Sequence, residues 1–190
     1  MKWNAPNVLT LLRILLIPVF VIIYFTNIPD WNVVAAIIFI VAAITDWLDG
    51  YLARKYDLVS NFGKLWDPIA DKLLVLAALL VIMDWGKIGL VVVLIIVARE
   101  LIIGGLRSTA ASKGVVIAAD KSGKLKTVVQ FVAIILLLLN NWPFTFVPVD
   151  LGLILIWVSV ALSIYSCIEY FVKNAEIVTD KKIDKKDESD

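Results

Sequence analysis

Four aspartates, Asp46, Asp49, Asp67 and Asp71, stand close together in a chain that is otherwise largely apolar. Asp46, Asp49 and Gly50 are spaced i, i+3, i+4 and share one helical face; Asp67 and Asp71, spaced i, i+4, share another. Four carboxylates brought together repel one another strongly unless a cation lies among them. The chain has no histidine, and its single cysteine, Cys167, is far along the sequence. The ligand set is therefore oxygen only, which selects a hard divalent ion: Mg²⁺, Mn²⁺ or Ca²⁺. Such ions bind diphosphates and polarise a phosphorus centre for attack. Gly50 and Gly63 remove side chains where a phosphate-bearing ligand would approach the backbone, and Arg54 offers a planar donor fork to a phosphate. The missing histidine also excludes a Ser-His-Asp triad, a Cys-His pair and a phosphohistidine intermediate. Direct displacement is the chemistry left open.

These carboxylates need a scaffold that tolerates charge beside hydrocarbon. The 190 residues are 61% hydrophobic, with a mean hydropathy of +0.92, an excess that argues for a lipid environment. Six apolar stretches, about 8–27, 31–53, 68–85, 88–110, 125–142 and 147–172, are each long enough to span a bilayer. The expected fold is all-α, a polytopic bundle of six transmembrane helices in one catalytic domain, residues 1–173. The first stretch reads as a span rather than a cleaved leader, since no small-x-small site precedes Asn27 and Pro29. The connectors around Asn27–Asp30, Asp84–Lys87 and Asn140–Pro143 are nearly free of Lys and Arg, and Lys87 is the one cation of the chain expected on that side. The positive-inside rule then places both termini, the longer loops and the aspartates at the cytoplasmic face of the cell membrane. Residues 174–190, with six acidic and four basic side chains, form a polar tail expected to be disordered. A net charge of +1 gives no reason to expect a nucleic-acid partner, and one cysteine allows no intrachain disulfide.

Intramembrane acids also serve proton relays and ion pathways, so a divalent-cation or proton-coupled transporter is the rival reading. The joint spacing decides against it. Asp46-x-x-Asp49-Gly50-x-x-Ala53-Arg54, eight residues, then Gly63-x-x-x-Asp67-x-x-x-Asp71 resembles the signature of the CDP-alcohol phosphatidyltransferase family at every defined position. The resemblance implies phosphatidyl transfer from CDP-diacylglycerol to a small alcohol, with Mg²⁺ or Mn²⁺ as cofactor. By position it makes Asp46, Asp49, Asp67 and Asp71 the metal ligands and Asp71 the general base. It assigns Asp49, Gly50, Arg54, Ser60 and Gly63 to CDP-diacylglycerol. Asn7-x-x-Thr10-x-x-Arg13 is similar to the family's entry segment, which lies against the nucleotide and phosphates. A homodimer is implied by the resemblance alone.

The acceptor is read from cations. Arg99, Arg107, Lys124 and Lys126 are more positive charge than choline or ethanolamine would need, whereas a phosphorylated acceptor requires several charge-assisted donors. Basic cytoplasmic loops explain the lysines equally well, but not Arg99 within an apolar run. Glu100 is an awkward partner for Arg99, being about 100° around the helix. Two segments, Asn7–Arg13 and Ala98-Arg99-Glu100 through Gly123-Lys124-Leu125-Lys126-Thr127, resemble the branch of the family whose acceptor is glycerol 3-phosphate. A sister enzyme using inositol phosphate is the nearest alternative.

Overall fold

In the computed structural model, residues 5–26, 28–56, 61–112 and 121–174 are described. They form six helices: α1 (Ala5–Phe25), α2 (Trp31–Lys55), α3 (Asn61–Asp84), α4 (Leu90–Ser112), α5 (Lys121–Leu138) and α6 (Leu151–Lys173), with no strand among the described residues. The expected all-α, polytopic membrane fold is the one found. The expected tail, beyond Asn174, lies outside the described residues.

The bundle is apolar outside as well as inside. Leu15, Ile22, Ile37, Ile44, Leu94, Leu101 and Val128 are exposed on helix after helix, far more hydrocarbon than a water-facing surface carries. Inside, Phe20, Phe39 and Phe131 form a run of ring contacts across α1, α2 and α5, with centroids 6.5 and 5.3 Å apart. Ala35, Ala36 and Ala42 on α2 and Ala78 on α3 are fully buried; small side chains let helix backbones approach where lipid gives no hydrophobic drive. On α6, Ser159, Ser163 and Ser166 turn to the interior, and their hydroxyls donate to the carbonyls of Ile156, Ser159 and Ser163. That satisfies each hydroxyl within its own helix, as a dry interior demands.

Helix ends and expected spans differ instructively. α3 begins at Asn61, seven residues before its apolar run, so Pro68 lies inside the helix and the polar turn with Gly63 and Asp67 becomes part of it. α5 ends at Leu138 and α6 starts at Leu151. Between them Asn140 and Asn141 adopt φ of 50° and 62°, a left-handed conformation that asparagine tolerates. Asn141 Oδ1 accepts from the Gly152 amide at 2.9 Å, and Asp150 caps α6 by accepting from Leu153 N at 2.9 Å. Asn32 Nδ2 donates to Leu138 O at 2.9 Å, which ties the start of α2 to the end of α5. By length and composition three segments qualify as membrane crossings: Asn7–Phe25, Trp31–Tyr51 and Leu151–Lys173. The other three helices carry further charges, α3 with Asp67, Asp71 and Lys72, α4 with Arg99, Glu100 and Arg107, and α5 with Lys121, Lys124 and Lys126, beside Arg13 on α1 and Asp46 and Asp49 on α2.

Candidate active site

Helix α1 packs against both α2 and α3, which makes it the wall on which the acidic ends of those helices close. Its first turns present Asn7, Thr10 and Arg13, three residues apart and therefore near one face, and all three are buried. Thr10 Oγ1 donates to Asp67 Oδ1 at 2.5 Å. Arg13 Nη2 donates to Asp49 Oδ2 at 2.5 Å, and Nη1 lies 2.8 Å from Asp46 Oδ1. One guanidinium thus spans two carboxylates one helical turn apart, a pairing suited to its planar fork. The Asp49 side chain is 4% exposed and that of Asp46 39% exposed, so the buried acid has the closer partner. Asp46 is also in electrostatic reach of Asp49, Asp67 and Asp71.

Helix α1 ties down three of the four aspartates, Asp46 and Asp49 through Arg13 and Asp67 through Thr10. Thr10 and Arg13, expected at the nucleotide, have carboxylate partners, and no three acids among the described residues stand close enough to hold one ion as they are placed. The donor set nevertheless suits a hard divalent cation, because every nearby acid is a carboxylate and none of the described groups is a softer ligand. Gly50 and Gly63 lie on the α2 and α3 turns that carry the acids. The backbone of Arg54 continues α2; its side chain, and Ser60 altogether, lie outside the described residues.

Beyond Asp71 a cavity of about 240 Å³ opens between α3, α4 and α5. Its polar lining is Asp71, Lys72, Glu100, Lys126, Thr127 and Gln130, set on apolar walls that include Leu76, Leu79, Ile96 and Phe131. Glu100 is the hub of the charges. Lys126 Nζ donates to Glu100 Oε1 at 2.5 Å, and Arg99 Nη1 donates to the same oxygen at 3.1 Å. The expectation that Glu100 is an awkward partner for Arg99 is therefore corrected. Successive Cβ atoms point 100° apart, but the long stems of Arg and Glu bend back and meet beside the helix. Arg99 Nη2 also donates to Ser166 Oγ on α6 at 3.0 Å.

Of the four cations expected around an acceptor, Lys126 alone lines the cavity; Arg99 stands behind Glu100. Arg107 lies over the ring of Tyr170, 5.7 Å from its centroid, and Lys124 is exposed. Sequence reasoning passed over Lys72, Glu100 and Gln130 as members of this pocket. Lys72 had a signal, its adjacency to Asp71. Gln130 had another, a lone amide within an apolar run.

The chain matches the profile of the CDP-alcohol phosphatidyltransferase family over residues 3–165. A Bacillus subtilis protein named CDP-diacylglycerol–glycerol-3-phosphate 3-phosphatidyltransferase is 44% identical over 186 residues, covering 92% of this chain and 96% of its own. Proteins of the same name from Rickettsia typhi and Haemophilus influenzae are each 38% identical. The alignments cover 88% and 90% of this chain, and 95% and 92% of those relatives.

Proposed function

Because the chain belongs to the CDP-alcohol phosphatidyltransferase family, we propose that it transfers the phosphatidyl group of CDP-diacylglycerol to glycerol 3-phosphate, releasing CMP and phosphatidylglycerophosphate. The names carried by its near full-length relatives support this acceptor. The observation that carries it is the single cavity shared by Asp71 and the amines of Lys72 and Lys126. A base and a phosphate-binding charge stand together there, as a phosphorylated alcohol requires.

The reaction is one displacement. The primary hydroxyl of the acceptor attacks the lipid-side phosphorus, a P–O bond forms, and the P–O bond to CMP breaks. Asp71 accepts the hydroxyl proton, and CMP carries away the negative charge. Lys72 and Lys126 hold the acceptor's phosphate by charge-assisted hydrogen bonds, with Glu100 accepting from the buried Lys126 amine and so orienting it. In this reading Asn7, Thr10, Arg13, Asp49, Gly50 and Gly63 contact the CDP moiety, as do Arg54 and Ser60, whose side chains lie outside the described residues, and Arg13 also pairs with Asp46 and Asp49. Asp46, Asp49, Asp67 and Asp71 would hold Mg²⁺ or Mn²⁺, which when bound neutralises the diphosphate.

All six helices cross the cell membrane in this reading, with the termini and the acidic cluster at the cytoplasmic face, and the protein pairs as a homodimer. The test uses detergent-purified protein with CDP-diacylglycerol, Mg²⁺ or Mn²⁺, and a panel of alcohols, the lipid product being identified by mass spectrometry. Glycerol 3-phosphate should give phosphatidylglycerophosphate, and excess EDTA should stop the reaction. A different lipid product, or full turnover in EDTA, overturns the reading.

A further inference from the structure

Gln130 lies one helical turn below Lys126 on α5. It is 2% exposed, and neither Nε2 nor Oε1 has a hydrogen-bond partner among the described residues. Its side chain lines the cavity that holds Asp71, Lys72 and Lys126, while around it stand Leu76, Leu79, Ile96 and Phe131. A carboxamide buried among hydrocarbon with both ends unmet is costly, and a native protein keeps one where something else completes it.

The chemistry of that partner follows from the inventory of the amide, which is a donor at nitrogen and an acceptor at oxygen. A phosphate oxygen or an ester carbonyl only accepts, and would leave Oε1 unmet. An acyl chain meets neither end. An ammonium only donates. A hydroxyl both donates and accepts, and a site built around such a pairing discriminates strongly against a ligand that lacks it.

We propose that Gln130 is a specificity-determining residue that reads the second hydroxyl of a phosphorylated polyol, the one beside the hydroxyl that reacts. This rests on the acceptor reading above. The acceptor's phosphate lies at Lys72 and Lys126, its terminal hydroxyl at Asp71, and its middle hydroxyl at Gln130. One small molecule then bridges the α3 and α5 walls of the cavity, and an alcohol of equal charge without the middle hydroxyl leaves the amide orphaned.

The experiment compares glycerol 3-phosphate with 3-hydroxypropyl phosphate, which differs only in lacking that hydroxyl, in wild type and in Gln130→Leu. Wild type should favour glycerol 3-phosphate by at least about 10-fold in kcat/KM. Gln130→Leu should bring the ratio close to one by losing rate with glycerol 3-phosphate, with its KM for CDP-diacylglycerol unchanged. Gln130→Asn, which keeps the amide but withdraws it by one methylene, should also lower the ratio and serves if the leucine variant does not fold. A wild type indifferent to the missing hydroxyl overturns the proposal without any variant. Equal losses with both acceptors overturn it as well, since they mean that the amide holds a water or the helix packing. Failure of the parent reading looks different: neither phosphorylated acceptor would then be turned over at all.

Discussion

Arg13 answers two carboxylates with one charge, and its own burial makes that arrangement hard to give up. Removing one partner of a buried pair costs about 3–5 kcal/mol, because the other charge stays behind without compensation. Arg13→Ala should therefore lower the melting temperature of the detergent-solubilised protein well beyond a surface substitution. Adding Asp49→Asn should recover part of the loss by removing the stranded charge. Thermal unfolding of the single and double variants measures both, and an Arg13→Ala protein as stable as wild type would show that the pair is not what closes α1 on the acids. Asp71 is to be separated from its neighbours by function. Asp71→Asn should bind CDP-diacylglycerol yet turn over about 10²–10⁴-fold more slowly, whereas Asp46→Asn should weaken metal and nucleotide binding. Near-normal turnover by Asp71→Asn would remove it as the base. The aspartates themselves were legible in the sequence because their spacing fixes a face and their charge is out of place in hydrocarbon. Arg13's partner was not, since Asp49 lies 36 residues away and no local period connects them.

Two glycines set how closely the helices meet, with opposite consequences. A Cβ at Gly152 would stand 2.9 Å from both the backbone nitrogen and Cγ of Leu137, and a backbone atom cannot step aside. Gly152→Ala should destabilise the α5–α6 hairpin by about 1–3 kcal/mol, the usual cost of overpacking, seen as a lower melting temperature. At Gly104 the same atom would stand 2.6 Å from Lys72 Nζ, the tip of a flexible side chain. Gly104→Ala should leave stability nearly unchanged while displacing that amine, so the KM for glycerol 3-phosphate should rise several-fold and that for CDP-diacylglycerol should not. An unchanged acceptor KM would take Lys72 out of the phosphate site. Helix number and order were readable from six apolar runs, but helix ends were not. The turn before Pro68 is polar and precedes a helix breaker, and tertiary contact through Thr10 to Asp67 keeps it helical against both signals. The cavity proposed for the acceptor was half legible: Lys126 stood out as a charge, while the places of Glu100 and Gln130 in it depend on α3, α4 and α5 meeting side by side.

Across the bundle, the cations gather with the four aspartates at one end, while the other end is aromatic and carries Asp30, Asp84, Asp150 and, as its single cation among the described residues, Lys87. Trp31 stacks edgewise on Tyr24 and Trp85, with centroids 4.9 and 4.8 Å apart, and Tyr24 donates to Asp84 at 2.7 Å, an interfacial belt of the usual kind. If the charged end is cytoplasmic, a membrane-impermeant thiol reagent should label Thr145→Cys in sealed right-side-out vesicles, in a chain whose Cys167 has been replaced. It should reach Ser112→Cys only after permeabilisation. The reverse pattern would invert the topology. The link of Arg99 to Ser166 directly, and through Glu100 to Lys126, bears on how such a chain is made. When α4 leaves the ribosome, Arg99 and Glu100 have only each other among these partners, because Lys126 and Ser166 have not yet been synthesised, and a charge left short of partners at mid-membrane costs at least about 2.5 kcal/mol. The nascent helix would therefore gain from entering the lipid together with α5 and α6, which bring those partners.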